Sequence, residues 1–398
     1  MRGLEIDWPS RQPEGALLIL ASTRSCGATL KGLGPTLLSL VLFLCSVLEA
    51  SAQSTTERDW ERLLTLAKKE GKVVSSIPAT AELRINLEKS FKARFPGIEL
   101  ELIVGEGSQT VSRIVSERKA GVRYFDLNLS GSASPLYGIV HGGLADPFEP
   151  YMILPEVKDP TQWWGGHIFV DRSNRFLYSF QAYTSANGYY NADLVKPNDI
   201  TSFDDLADPK WKGRIGWLNP RRPNSGSNLW AFLLKIKGEG FLRKLVKQDL
   251  YVEGGNRQLA EAVVKGKVAV GLGVSPYSAE PFVKAGLRIK PLSPFKEGDY
   301  ISSGSGTVVV IKDPPHPNAA KVFINWLLGK EGQEVYNKAV GVGTRRLDVD
   351  TSWLAKIGNR AAKDFMAPED LPKFELFSEE SLTKWRNPAL ELARNLLP

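Results

Sequence analysis

The 398 residues carry 51 Lys and Arg against 44 Asp and Glu, a net charge of +7, with 42% apolar and 24% charged residues. That balance excludes a disordered, collagen-like or polytopic membrane chain. Without a block of five like charges it does not indicate a nucleic-acid-binding arm, leaving a mild bias toward anionic partners. The length suits two domains, or two lobes, after a leader.

The leader comes first in chain order. Residues 36–48, TLLSLVLFLCSVL, form an uncharged apolar run, preceded by Arg24 and Lys31 and followed by the small-x-small pattern Ala50-Ser51-Ala52. A spanning helix needs about 20 such residues. We therefore read 1–52 as a signal peptide cleaved after Ala52, with the first 23 residues reflecting a start assigned too far upstream. Acylation at Cys45 is the alternative, opposed by the bulky Leu44 before it. Cys26 and Cys45 are the only cysteines, so the exported chain has no disulfide, thiolate metal site or cysteine nucleophile.

Helix and strand signals then alternate. Trp60, Leu63, Leu64 and Ala67 fall at i, i+3, i+4 and i+7, which predicts a helix over 57–70. KVVSSI predicts a buried strand, and Leu83, Leu87, Phe91 and Phe95 a second helix ended by Pro96-Gly97. Ile98, Leu100, Leu102 and Val104 alternate as a strand with one wetter face, Ser108 opens a helix to Gly121, and 124–130 is a third strand. The β-α-β-α-β order predicts right-handed crossovers and a mainly parallel sheet with its ligand site beyond the carboxyl ends of the strands.

Those ends are small and polar: Ser75-Ser76-Ile77-Pro78 with Thr80, Gly105-Glu106-Gly107-Ser108, and Ser130-Gly131-Ser132-Ala133-Ser134. Each leads into a helix, whose free N–H groups hold an anion without a charged side chain. Serine and glycine are also ordinary N-cap and loop residues. In the second half, GRIGWL at 213–218 is a strand, 219–228 its loop with Arg221 and Arg222, and LWAFLLKIKG the helix after it. Arg257 precedes another helix, and KVAVGLG at 267–273 is a strand ending at Val274-Ser275-Pro276-Tyr277. The arginine forks suit carboxylate or phosphonate.

Three segments, NGYYNADLV at 187–195, SFDDLADPKWKGRIGWLNP at 202–220 and HPNAAKVFINWLLGKEGQEV at 316–335, occur in that order. They resemble the extracellular solute-binding proteins of ATP-driven importers, in the branch that includes ferric-ion-binding proteins. The resemblance implies an α/β, two-lobed type 2 periplasmic-binding fold, each lobe a mainly parallel sheet flanked by helices, with the ligand in the cleft between lobes. Mapped onto this sequence, lobe 1 is 57–182 plus 304–330 and lobe 2 is 186–300 plus 331–398, with hinges near 183–185 and 301–304. Gly304-Ser305-Gly306 can absorb the dihedral change of closure before the buried strand TVVVI. Residues 372–398 are expected as helices packing on lobe 2.

Ferric-ion-binding relatives use an adjacent tyrosine pair as ligands, after the strand that corresponds here to VAVGLG. This sequence has the single Tyr277 there, and Tyr189-Tyr190 lies just past the hinge, so the pair is expected in packing. His141, His167 and His316 are isolated, and no G-x-S-x-G elbow or phosphate-loop motif is present. A hydrolase using distant carboxylates remains the reading from another class.

The expected function is therefore that of a periplasmic binding protein, not an enzyme. It would capture a small anionic solute, a carboxylate, phosphonate or phosphate ester, and deliver it as a monomer to a permease with a cytoplasmic ATPase. Ferric iron is the alternative cargo, and no resident cofactor is implied. The expected contacts are Ser76, Thr80, Ser130, Ser132 and Thr184 from the first lobe and hinge, and Arg222, Asn224, Ser225, Ser227, Arg257 and Tyr277 from the second.

Overall fold

A computed structural model describes residues 57–292 and 294–397; the signal peptide, its cleavage after Ala52 and Cys45 lie outside the described residues. In chain order the strands are β1 (Lys72–Ile77), β2 (Glu99–Val104), β3 (Leu127–Ser130), β4 (Ala145–Asp146), β5 (Ile168–Phe169), β6 (Leu177–Ser179), β7 (Tyr183–Ser185), β8 (Gly188–Asn191), β9 (Ile215–Leu218), β10 (Tyr251–Glu253), β11 (Val270–Leu272), β12 (Ile289–Pro291), β13 (Thr307–Ile311) and β14 (Asn359–Ala361).

The first half builds as its periodicity dictates. Leu83, Leu87 and Phe91 put one stripe of the helix Ala81–Arg94 into the core, and Phe95 closes that stripe at the helix end. Thr80 caps the start by accepting from the Leu83 N–H at 3.2 Å. In β2, Leu100 and Leu102 are buried while Glu99 is exposed, as suits the edge strand of the sheet β2-β1-β3-β13-β6-β5. The pairs β1–β2 and β1–β3 are parallel, with helical crossovers between them. β13 returns from the second half to pair antiparallel with β3, β4 and β6, and β5 pairs antiparallel with β6. The sheet is thus mixed, with its parallel character confined to β2-β1-β3. The antiparallel part comes from the chain re-entering the sheet, which a local reading of β-α-β order does not contain.

The second sheet has the order β10-β9-β11-β8-β12, parallel at β10–β9 and β9–β11 and antiparallel where β8 and β12 join. Its core gathers Trp211, Trp217, Trp230, Phe203 and Phe232, with the Trp217 and Trp230 rings edge to face at 5.2 Å. Tyr189 is buried beside Leu259 and Val263, and Tyr190 packs against the other cluster. Alternation along β8 sends the two rings to opposite faces, so the pair is packing.

Chain crossings between the sheets lie close together. β7 pairs antiparallel with β14, and Tyr183 also bridges Ser302, so segments near 183, 302 and 361 run side by side. The expected boundaries place 331–398 with the second lobe, but the structure distributes this stretch. The helix Lys330–Val340 packs on the helix Ala81–Arg94. Leu371, Phe377 and Leu382 enter the first core, whereas Leu376, Ala389, Ala393 and Leu397 enter the second. Residues 371–397 therefore span both lobes, because their apolar positions divide between two cores instead of forming one stripe.

Candidate functional site

At the carboxyl end of β1, Ser76 is fully buried and its Oγ accepts from Asn128 Nδ2 at 2.6 Å. Ser130 Oγ donates to Asn128 Oδ1 at 2.8 Å, and Thr307 Oγ1 donates to the Ser130 carbonyl at 2.9 Å. One amide on β3 thus locks the ends of β1 and β3 together. Neither sequence motif nor spacing pointed to Asn128, whose signal is only a polar residue inside an otherwise apolar strand. Gly107, the first residue of the helix Gly107–Lys119, lies against Ser130: a Cβ on Gly107 would sit 3.5 Å from that of Ser130. The second and third strand ends therefore meet. Ser132 is buried at the start of the next short helix. Thr80 is committed to its cap, and Thr184 Oγ1 donates to the Ser185 carbonyl in β7 at 3.3 Å.

In the second lobe the helix begins at Ser225, four residues before the apolar run LWAFLL suggests. Asn224 and Ser227 form a reciprocal cap: the Ser227 N–H donates to Asn224 Oδ1 and the Asn224 N–H donates to Ser227 Oγ, both at 2.9 Å. Ser225 Oγ donates to the Gly273 carbonyl at 2.6 Å, just past the end of β11. Gly226 packs so closely on the end of β9 that a Cβ there would lie 2.0 Å from the Leu218 carbonyl oxygen. The first turn of this helix, with the N–H groups that have no intrahelical acceptor, is held directly over the ends of β9 and β11.

The two arginine-bearing loops leave their side chains open to solvent. Arg222 is exposed. Arg257 forms an i,i+4 pair with Glu261 at 3.3 Å and its side chain stays 75% exposed, so its charge is already matched along its own helix. Ahead of that helix, Glu253 accepts from the N–H groups of Gly254 at 2.7 Å and Gly255 at 3.2 Å and from the Tyr251 hydroxyl at 2.7 Å. The hydrogen bond from Tyr251, then those N–H groups, hold the Glu253 carboxyl below its usual range. This loop carries its own anion. The backbone of Tyr277 lies in the first turn of the helix Pro276–Lys284; its side chain lies outside the described residues.

At the crossings, Gly304 adopts φ +52° under the Tyr183 ring, where a Cβ would come within 2.6 Å of the hydroxyl oxygen. Beside it, Asn187 Nδ2 donates to Asp299 Oδ1 at 2.6 Å and Arg360 lies 3.6 Å from Asp299 Oδ2. Each comes from a different crossing of the chain. Burial pushes the Asp299 carboxyl up to about 6, with Arg360 and Asn187 opposing it.

The histidines are all spent singly. His316 Nδ1 sits 2.9 Å from the buried Asp126, His141 pairs with Glu379 at 3.2 Å, and His167 lies between Tyr178 and the Lys158 carbonyl. Among the described residues no cluster of three His, Cys, Asp or Glu side chains could hold a metal ion. Burial pushes the Tyr189 phenol well above its usual range, which opposes its use as a phenolate.

The family model described as bacterial extracellular solute-binding protein matches residues 73–339. The chain belongs to this family. It is 27% identical over 282 residues to the Fe(3+)-binding periplasmic protein of Serratia marcescens, covering 65% of this chain and 77% of that one. It is 25% identical over 270 residues to iron uptake protein A1 of Synechocystis sp., covering 62% and 69%. Its fold is similar to that of the Trichodesmium protein IdiA (FutA) in complex with iron and citrate, with a TM-score of 0.63 and 21% identity over 82% of this chain and 99% of that one. It is also similar to AfuA of Actinobacillus pleuropneumoniae with fructose-6-phosphate bound, with a TM-score of 0.57 and 19% identity over 81% and 99%. The fold is thus the two-lobed α/β binding-protein fold, and the relatives from Serratia, Synechocystis and Trichodesmium carry the iron names of the branch suggested by the three motifs. No helix of the described residues is long and apolar enough to cross a membrane.

Proposed function

We propose that this solute-binding protein captures a small organic anion, a carboxylate, phosphonate or phosphate ester, between its lobes outside the cytoplasmic membrane. It then presents the solute as a monomer to a permease with a cytoplasmic ATPase, and no bond is made or broken. The observation that carries the anion reading is the start of the helix Ser225–Lys237, pressed onto the ends of β9 and β11 by Gly226 with its first-turn N–H groups presented there. Such a terminus favours negative charge without needing a lysine or arginine of its own. Ser132 and the N–H of Gly131 are the matching donors of the first lobe, the N–H groups of Ser225 and Gly226 those of the second, with Tyr277 as a wall of the cleft. Ser76, Thr80, Thr184, Asn224 and Ser227 support these groups through the bonds and caps described above.

Closure follows from population shift. Open and closed forms exchange, and a solute favours the closed form only through contacts made to both lobes at once.

Ferric iron is the second reading, favoured by the names of the relatives from Serratia and Synechocystis. Hard ferric iron requires several anionic oxygen ligands. With Tyr189 buried in packing, iron would arrive together with an organic anion that supplies most of them. Thermal unfolding of ligand-stripped protein against a panel of organic anions and ferric citrate separates these readings, because a ligand of the native state raises the melting temperature by mass action. Stabilisation by a colourless anion supports the first reading. Stabilisation by iron alone, with visible absorption, replaces it with the second.

A further inference from the structure

The polar cluster at the crossings holds a buried group that titrates beside a buried atom that lacks a partner. Asp299 stands where the second crossing passes between the cores: Tyr300 after it is packed in the second core, and Ile301 in the first. Its Oδ1 accepts from Asn187 Nδ2 at 2.6 Å, and its Oδ2 lies 3.6 Å from a terminal guanidinium nitrogen of Arg360. Asn187 belongs to the first crossing, where its carbonyl accepts from the Gly273 N–H at 2.8 Å just past β11. Arg360 is the middle residue of β14, paired with Thr184, and Ala362 beyond it joins the first core. One carboxyl group therefore reaches all three crossings.

Asn187 is buried, and its Oδ1 has no hydrogen-bond partner. Beside an ionised Asp299 this amide is half used: its N–H donates, but a carboxylate has no proton to return to the amide carbonyl. A buried acceptor left in that condition is costly. Protonation of Asp299 by water supplies the missing donor. The acid O–H can then donate to Asn187 Oδ1 while the Asn187 N–H still donates to the other carboxyl oxygen, the ring that a carboxylic acid forms with a primary amide. The same step removes the charge that attracts Arg360.

Among the described residues, Arg360 is the charged side chain within ion-pairing distance of Asp299. Glu297, on the same loop, is engaged with Lys237 at 2.7 Å and the Ser202 hydroxyl at 2.6 Å. Glu375, whose backbone bridges Ile301, accepts from the N–H groups of Phe377 and Ser378. Burial pushes the Tyr300 phenol above its ordinary range, and the Tyr183 ring covers Gly304. With Asp299 raised to about 6, the exchange of partners falls close to neutral pH.

We propose that Asp299 is a proton-operated latch of the hinge: ionised, it ties the third crossing to the other two through Arg360, and protonated, it pairs with Asn187 alone and releases the third crossing. Arg360 then keeps the Phe365 ring, 4.2 Å away on its own segment. Lobe motion is absorbed by the few residues of the crossings, so the ionised latch restrains it and the protonated latch frees it. This goes beyond the proposed function and does not depend on which solute is bound.

The test is amide hydrogen exchange of the ligand-stripped protein at about pH 5 and about pH 7.5, on either side of the Asp299 titration, for wild type, Asp299→Asn and Arg360→Gln. Protection is expressed relative to unstructured peptides at the same pH. Asparagine at 299 copies the neutral acid, since its own amide can donate to Asn187 Oδ1. In the wild type, residues 358–363 should lose about 2- to 5-fold in protection at the lower pH, the loss of a partly exposed ion pair. The backbone pair of Tyr183 with Ser302 should keep its protection. Both variants should show the lower protection of 358–363 at both pH values. Equal protection of 358–363 at the two pH values in the wild type, or a pH step that persists in Asp299→Asn, overturns the proposal. Should Asp299→Asn fail to fold, Arg360→Gln decides: low protection at both pH values supports the latch, and a pH step as large as that of the wild type overturns it.

Discussion

Gly226 carries the most stringent demand at the scale of the single residue. A methyl group there would collide with the Leu218 carbonyl at 2.0 Å, so Gly226→Ala must lift the helix start off the ends of β9 and β11. We expect destabilisation of about 1–3 kcal/mol, read as a lower denaturant midpoint, together with weaker solute binding. Asn128→Ala strands the hydroxyls of Ser76 and Ser130 in the core, a loss of about 1–3 kcal/mol that chemical denaturation would register. Arg257→Ala serves as the contrast: its exposed pair with Glu261 is worth at most about 0.5 kcal/mol, and solute affinity measured by titration should be unchanged. These residues differ in how legible they were. Serines at strand ends announced themselves by composition, whereas the roles of Asn128 and Gly226 depend on which strand the third dimension places beside them. Arg222 and Arg257 are conspicuous in the sequence because they stand in polar loops, and for that same reason their side chains lie at the surface, Arg257 beside Glu261.

Among the elements, the crossings concentrate the polar chemistry. Asp299 is held by Asn187 from the first crossing and Arg360 from the third, and burial raises its carboxyl to about 6 from an ordinary 3.8. The folded chain therefore keeps a proton that the unfolded chain releases between about pH 4 and pH 6. Through that window the contribution of Asp299 to stability declines as pH rises, and above it the full penalty of a buried carboxylate persists. Asp299→Asn lacks this titration, so its melting temperature relative to wild type should increase on going from about pH 4 to about pH 7. Groups titrating in both proteins cancel in the difference. A difference independent of pH would mean that Asp299 is well solvated when folded. The elements themselves were largely readable: the stripe of Leu83, Leu87 and Phe91 and the alternation of Leu100 and Leu102 gave helix and strand in their observed places. The helix at Ser225 starts earlier than its apolar run because the Asn224–Ser227 cap works through polar side chains that periodicity ignores. The antiparallel arrival of β13 and the pairing of β7 with β14 depend on contacts more than a hundred residues apart, which no local pattern encodes.

At the scale of the whole molecule, two sheets with separate aromatic and aliphatic cores are joined by adjacent crossings and by a C-terminal segment whose apolar residues divide between both cores. That segment constrains how the lobes move, since Lys235 of the helix Ser225–Lys237 is bonded to its carbonyls at Pro372 and Glu375 while Glu379 meets His141 of the first lobe. The two-lobed plan was legible from three motifs in order, but the bridging role of residues 371–397 was not, because its apolar positions follow no single period. Function on this plan requires that a solute contacting both lobes shift the population toward closure. Solution scattering of the ligand-stripped protein, titrated with the anion that raises its melting temperature, measures that shift directly. The account predicts a fall in radius of gyration that saturates at one solute per chain, with the solute recovered chemically unchanged. Saturable binding with no compaction, or conversion of the solute into a product, would contradict it.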